Sequence, residues 1–355
     1  MKFIHISDVR LGLVPDAGKA WSDARAQERW TTFQKVIELC NYREVDLLLV
    51  SGNLFHRQPL KRELKEVNYL FSTLKHTRVV LIAGNRDHLK SGTGYTDYRW
   101  CSQVVFFDSQ DFLTAYFPDC NTEVCGFSYM DSEDPVPRCD DVTPGEDKSR
   151  IQILIASAGA DDRHVPIDFP KLEEAGFDYV ALGGEHAYRI WESQHVAYAG
   201  ALEPTNGADI GPHGCIYGEI EKDSVDLSFV PMAIREYIPI DIEMTSQTSQ
   251  FDLESTVSKQ IEKYGKNNIY IINISGLFDP EYKPDENALK RFGNVLNVSM
   301  KAIPEYDLEY LRRIHKNDVI GKFIDSYLST DQPLSDKSKK ALYLGIQTLL
   351  QNTEY

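Results

Sequence analysis

The chain has no CxxC pair, no apolar run approaching the ~20 residues a membrane helix needs, no internal repeat and no low-complexity tract. Its six cysteines, Cys40, Cys101, Cys120, Cys125, Cys139 and Cys215, are scattered, and no secretory apolar segment is recognisable. That argues against a disulfide framework or a structural zinc site and points to a reducing, cytoplasmic compartment. The longest apolar run, Val45 to Val50, is broken by Asp46, so no membrane span is expected. Positive charge is also short. The 54 acidic against 38 basic residues leave a net −16, which opposes nonspecific attraction to nucleic acid and confines any DNA contact to a local basic patch or a partner protein. What remains is ordinary: 42% hydrophobic and 26% charged residues over 355 positions, enough for about two domains with a large core.

The first two-thirds reads as short apolar runs that each end in a small polar cluster. Lys2 to Ile6 ends at Ser7-Asp8, Val45 to Val50 at Ser51-Gly52-Asn53, and Val79 to Ile82 at Ala83-Gly84-Asn85. Ile151 to Ile155 ends at Ala156-Ser157-Ala158, and Tyr179 to Leu182 at Gly183-Gly184-Glu185-His186. Between them Ala24 to Cys40 and Leu60 to Lys75 have helical spacing, so the pattern predicts an α/β core. Ligands of α/β sheets collect beyond the carboxyl ends of strands, so these five polar ends should converge on one site. The Asp-, Pro- and Gly-rich stretch Pro135 to Ser149 reads as an exposed loop. After Pro231 to Arg235 the pattern predicts strands at Tyr237 to Met244, Ile269 to Ser275 and Val295 to Ala302, with helices at Leu253 to Tyr264 and Asn287 to Phe292. Two further helical segments follow, one from Leu308 to Leu328 and one from Lys337 to Leu350.

The segments MKFIHISDVRLG, DLLLVSGNLFHRQPL, VVLIAGNRDH, ILIASAGA and YVALGGEHAYRI, followed by AYAGALEP and HGCIYGEIE, resemble the calcineurin-like metallophosphoesterases, most nearly the SbcD-type DNA repair exonuclease subunits. The resemblance implies a four-layered α/β/β/α metallophosphoesterase sandwich with a small α+β capping domain and a helical C-terminal tail. The corresponding spans are 1–232, 233–303 and 304–355. It implies two Mn²⁺ ions bridged by a carboxylate, which lower the pKa of a bound water and steady charge on the attacking and leaving oxygens. It also implies an SbcC-like SMC-family ATPase docked on the tail, DNA met within that complex, and a homodimer formed through the phosphoesterase domain.

The sequence departs from the family pattern at the implied ligands. Asp8 is kept, but Arg10 stands in place of a histidine, Asn53 in place of the bridging aspartate and Arg86 in place of the catalytic histidine. Ser157 and Gly184 replace two more histidines, so Asp8, Asn85 and His186 are the remnant ligands, with Asp87 and His56 in support. Two divalent ions bring about +4 of charge, and an arginine is a permanent cation with no acceptor, so Arg10 and Arg86 repel such ions. The expectation is a degenerate site without a tightly bound cofactor, in which both guanidinium groups pair with Asp8 and Asp87 or receive an oxyanion. The competing expectation is an active phosphodiesterase with an altered, single-metal site on Asp8, Asn85, Asp87 and His186.

Blander readings accompany these. His5, within a strand, is a core histidine; His56 orients its loop; His88 lies at the surface; His164, His195 and His213 belong to loops and strand ends. Arg57, Lys61, Arg62 and Lys65 form a solvated helix face, although the resemblance sets this neighbourhood near a DNA path. The apolar tail positions either pack on their own core or wait for a partner.

Overall fold

The structure is a computed structural model and describes every residue except 160, 222–223, 283, 330–333 and 353–355. The chain forms two units, Met1–Glu236 and Tyr237–Tyr355.

The first unit contains strands β1 (Lys2–Ile6), β2 (Leu47–Ser51), β3 (Arg78–Ile82), β4 (Val104–Phe107), β5 (Leu113–Phe117), β6 (Thr122–Gly126), β7 (Ile151–Ser157), β8 (Tyr179–Gly183), β9 (Arg189–Ile190), β10 (Val196–Tyr198), β11 (Gly214–Glu221) and β12 (Ser224–Pro231). Helices α1 (Ser22–Arg43), α2 (Lys61–Ser72) and α3 (Phe169–Glu174) complete it. One sheet has the order β12-β11-β1-β2-β3-β4 and the other β5-β6-β7-β8-β10-β9. Strands β1 to β4 are mutually parallel, as are β6, β7, β8 and β10, while β11 pairs antiparallel with β1 in the register Phe3↔Gly218.

Alternation along each buried strand sorts side chains to opposite faces. Ile4, Ile6, Leu48, Val50, Val79 and Leu81 meet Phe33, Val36, Val67 and Phe71 of α1 and α2. Phe3, Leu47, Leu49, Val80 and Ile82 meet Val124, Ile153, Ile155, Tyr179 and Ala181 of the second sheet. That sheet's far face, with Leu154, Val180 and Leu182, packs on Leu172, Phe177 and Phe127. These are the layers of an α/β/β/α sandwich, the fourth being thin because α3 is only six residues long. The five polar strand ends are therefore supplied by two sheets, three from the first and two from the second. The 135–149 segment is irregular as expected, but Cys139 is plugged into the core rather than solvated.

His5 points between the sheets, fully buried, with Nδ1 2.8 Å from the Tyr179 hydroxyl and Nε2 2.8 Å from Ser51 Oγ. Burial holds its pKa down to about 3 from 6.5. As pH falls below 6.5 the unfolded chain takes a proton that the folded chain refuses, so stability is lost by roughly 1.4 kcal/mol per pH unit until the folded pKa is reached. His5→Gln lacks this loss. Its deficit relative to the native chain in urea unfolding should shrink by about that slope between about pH 6 and pH 4, other titrating groups cancelling in the difference. An unchanged deficit would show that the imidazole protonates freely in the folded state.

The second unit contains β13 (Tyr237–Met244), α4 (Gln250–Tyr264), β14 (Ile269–Phe278), α5 (Glu286–Leu289), β15 (Asn294–Met300), β16 (Ile303–Pro304), α6 (Leu308–Ile314), α7 (Val319–Leu328) and α8 (Asp336–Asn352). Its strands are parallel, with β14 between β13 and β15, and α4 crosses over between β13 and β14 with Leu253, Val257 and Ile261 facing the sheet. The unit boundary falls at Glu236 rather than 232 because Ile234 N donates to Glu203 Oε1 at 2.7 Å and Arg235 Nε to Glu28 Oε1 at 2.7 Å, tying this segment to the first unit. The 233–303 and 304–355 spans do not separate: β16 pairs with β14, and Ile303, Leu311, Ile320, Ile324, Leu342 and Ile346 form one small core. Tyr310, Ile314, Val319, Leu328 and Leu344 stay exposed on the tail helices. Among the described residues no helix is long and apolar enough to cross a membrane.

Candidate functional site

The loops after β1 and β2 lie side by side. Asp8 N donates to Gly52 O (3.2 Å), Arg10 N to Asn53 O (3.0 Å), Leu11 N to Leu54 O (2.9 Å) and His56 N to Leu11 O (3.0 Å). Asp8, Arg10 and Asn53 all have left-handed backbone, with φ of 47°, 53° and 54°. Asp and Asn visit this region with little penalty, whereas arginine gives up about 1–2 kcal/mol there.

The Arg10 side chain offsets that cost. Its Nε and Nη2 donate to Asp8 Oδ1 at 3.2 and 3.0 Å, and Asn53 Nδ2 donates to the same oxygen at 2.9 Å. Asp8 Oδ2 accepts from Gly184 N at 2.9 Å. Asp8 is completely buried and Arg10 is 7% exposed, so the pair is desolvated, with three donors crowded on Oδ1 and one on Oδ2. His186 Nε2 lies 4.0 Å away from Asp8 Oδ1. The other His186 nitrogen, Nδ1, meets Asp209 Oδ2 at 3.0 Å, and Thr205 Oγ1 and N hold that carboxylate at 2.6 and 2.7 Å. Burial alone would raise Asp209, but the contacts with His186 and Thr205 outweigh it and keep its carboxyl well below the usual range.

The second arginine behaves differently from the expectation that both would pair with carboxylates. Asp87 is completely buried and already accepts from Gly84 N (2.8 Å) and Phe55 N (3.0 Å), knitting the second and third loops together. Burial pushes its pKa up to about 7. Arg86 does not reach this buried carboxylate: it donates its backbone N–H to Asn53 Oδ1 at 2.9 Å while its side chain is exposed, without a hydrogen bond or ion pair among the described residues. Asn85 is half-buried, with a side-chain amide that likewise has no partner. His56 is half-buried and its Nδ1 is unbonded. Its pKa is lowered by burial and then by the fields of Arg10, Arg86, Arg29 and Arg57.

Ser157 is buried at the end of β7, and Gly184 sits at φ +107°. His88 is half-buried with Nδ1 3.1 Å from Asn85 O, and Arg57 forms a two-fold pair with Glu63 at 2.9 and 3.0 Å. Lys61, Arg62 and Lys65 are exposed. Among the described residues no group of three or more His, Cys, Asp or Glu side chains is arranged to hold a metal.

Sequence reasoning missed the support beneath the site. Arg25 and Arg29, one turn apart on α1, are 1% exposed, and Glu203 is fully buried. Arg25 Nη1 is 3.3 Å from Glu203 Oε2, Thr32 Oγ1 donates to Glu203 Oε1 at 2.6 Å, and Arg29 Nη1 donates to Val9 O at 3.1 Å. Both arginines also donate to Pro204 O at 2.7 Å. This network fixes the loop that carries Asp8 and Arg10. The i,i+4 spacing of the arginines was its visible sign, but it also suits a solvated helix face. Nothing in the spacing marked Asp209 as the partner of His186.

A family profile described as "Calcineurin-like phosphoesterase" matches residues 1–188, which include all five polar strand ends. The chain is also similar to an uncharacterized metallophosphoesterase of Bacillus subtilis (strain 168), YhaO, at 25% identity over 287 residues, covering 74% of this chain and 69% of the relative.

Proposed function

Because the chain belongs to the calcineurin-like phosphoesterase family, whose members typically bind divalent metals, and yet carries a buried arginine on its one ligand-type aspartate, we propose that it is an SbcD-type subunit with lost or greatly reduced phosphodiesterase activity. Its role is architectural, alongside an SbcC-like ATPase in DNA maintenance. One contact carries the reading: Arg10 Nη2 on Asp8 Oδ1 at 3.0 Å, in a buried carboxylate that also accepts from Asn53 and Gly184. A pair of ions does not fit these donors. To reach Asp8 a cation must displace a desolvated guanidinium, and at the bridging position it meets an amide whose oxygen is already bonded to Arg86 N and whose nitrogen is a donor. The exposed Tyr310, Ile314, Val319 and Leu328 of the tail support the partner-docking part of the proposal, since they remain outside the small core their neighbours fill.

The second reading, a single ion on Asp8, Asn85, Asp87 and His186, is favoured by the unpartnered Asn85 amide and by His186 Nε2 at 4.0 Å from Asp8, while Asp87 is turned to the Gly84 and Phe55 amides. Manganese titration followed by electron paramagnetic resonance, with bis-p-nitrophenyl phosphate and duplex DNA turnover on the same samples, separates the two. The native chain should show no coupled manganese pair and turnover at background. One tightly bound ion with turnover supports the second reading, and a coupled pair overturns both.

A further inference from the structure

The polar groups at these strand ends are not all consumed by one another. Arg10 spends Nε and Nη2 on Asp8, which leaves Nη1 without a hydrogen bond among the described residues. The Arg86 guanidinium and the Asn85 amide are also free of partners, and His56 Nδ1 is buried and unbonded. The backbone ties these groups together: Arg10 N and Arg86 N both bond to Asn53, through its carbonyl and side-chain oxygens, and His56 N bonds to Leu11 O directly after Arg10. These bonds hold the loops that carry Arg10, Arg86 and His56 against one another, and the fields of both arginines act on the His56 ring in keeping with that. Arg57 is nearby but is neutralised by Glu63, and the His186 side of the site is acidic, with Asp209 and the half-buried Glu185. The site is therefore polarised, and on its basic edge the Arg86 guanidinium, Arg10 Nη1, the Asn85 amide and His56 Nδ1 have no partner among the described residues.

We infer that Arg86, Arg10 Nη1, Asn85 and His56 form a metal-independent receptor for the oxyanion of a phosphate group. This rests on the reading above, because a pair of cations would occupy the same strand ends. Guanidinium groups suit the task, offering planar N–H donors and keeping their charge at every relevant pH. Arg86 is the free cation on which affinity depends. Arg10, clamped by Asp8, orients rather than attracts, since its charge is already compensated. No bond is made or broken at such a site: the ligand is held.

Isothermal titration in EDTA tests the inference, using inorganic phosphate, thymidylyl-thymidine, and a short thymidine oligonucleotide with and without a terminal phosphate. All arms are repeated in Mn²⁺. Binding is expected in EDTA and unchanged by Mn²⁺. Arg86→Ala should weaken it about tenfold to a hundredfold, the worth of a charge-assisted hydrogen bond, and Arg86→Lys by less. Lys35→Ala, on the exposed face of α1, should leave it unchanged. Preference for the terminally phosphorylated strand identifies a monoester, and equal binding of thymidylyl-thymidine a diester; both support the inference. Binding in EDTA that ignores Arg86→Ala overturns it. So does an absence of binding with no manganese taken up, which leaves the non-hydrolytic reading standing. Binding that needs Mn²⁺ overturns both.

Discussion

Turnover of bis-p-nitrophenyl phosphate in Mn²⁺ is expected to rise at least about a hundredfold over the native chain when Arg10→His, Asn53→Asp, Arg86→His, Ser157→His and Gly184→His are combined, because restored charge stabilisation of even one oxygen has that worth. The geometry also predicts how the variant behaves before metal is added. Asn53 Nδ2 sits 2.9 Å from Asp8 Oδ1, so an aspartate there sets two carboxylates against each other just as Arg10 is removed. The metal-free variant should melt below the native chain, and Mn²⁺ should return roughly 2.7 kcal/mol at a hundred times its dissociation constant. Gly184→His carries a separate penalty. Space is available, the nearest atom to a new Cβ being Ala158 N at 3.5 Å, but φ is +107°, a conformation that costs a side-chain-bearing residue about 1–3 kcal/mol. A companion variant that leaves Gly184 alone should therefore fold better and bind metal with one ligand fewer. Turnover by the native chain equal to that of either variant would defeat the reading, as would a folded, metal-loaded variant with no activity.

Glu203→Ala is expected to remove about 2–4 kcal/mol of stability in urea unfolding, since it takes away the buried one of the two carboxylates on Arg25, leaving Glu28 at 3.3 Å, and strips an acceptor from Thr32 Oγ1 and Ile234 N. Glu203→Gln should cost less, because an amide oxygen still accepts one of those bonds. The double variant Arg25→Met, Glu203→Leu should recover much of the loss, as apolar replacement of a buried pair commonly does. A loss below about 1 kcal/mol for Glu203→Ala, within the range of an exposed pair, would mean that water reaches this network.

The five strands that carry the site were legible because each is an apolar run ending in small polar residues, and a strand buried on both faces must look that way. Strands β4, β5, β6 and β9 to β12 were not singled out: most are short or half-exposed, and β6 and β11 carry glycine and glutamate that also suit loops. The replacement of ligand-type residues by Arg10, Asn53, Arg86, Ser157 and Gly184 could be read directly, and so could the pairing of Arg10 with Asp8, two residues apart on one loop. The fate of Arg86 could not. Whether Asp87 is available to a neighbouring guanidinium depends on the Gly84 and Phe55 amides, and backbone donors leave no trace in side-chain identity. The tail posed a similar problem: its apolar residues divide between an inward set around Ile320 and Ile324 and an outward set around Ile314 and Val319, a division made by packing rather than by composition.

The pairing of β1 with β11 bears on how the molecule is made. As the ribosome delivers the chain, β2 and β3 emerge soon after β1 and can line up on one side of it, but the other side stays open until Gly214–Glu221 has been synthesised. Throughout that interval the nascent sheet presents an unpaired edge to its surroundings, and this is the stage of biogenesis at which a holding chaperone has most to protect.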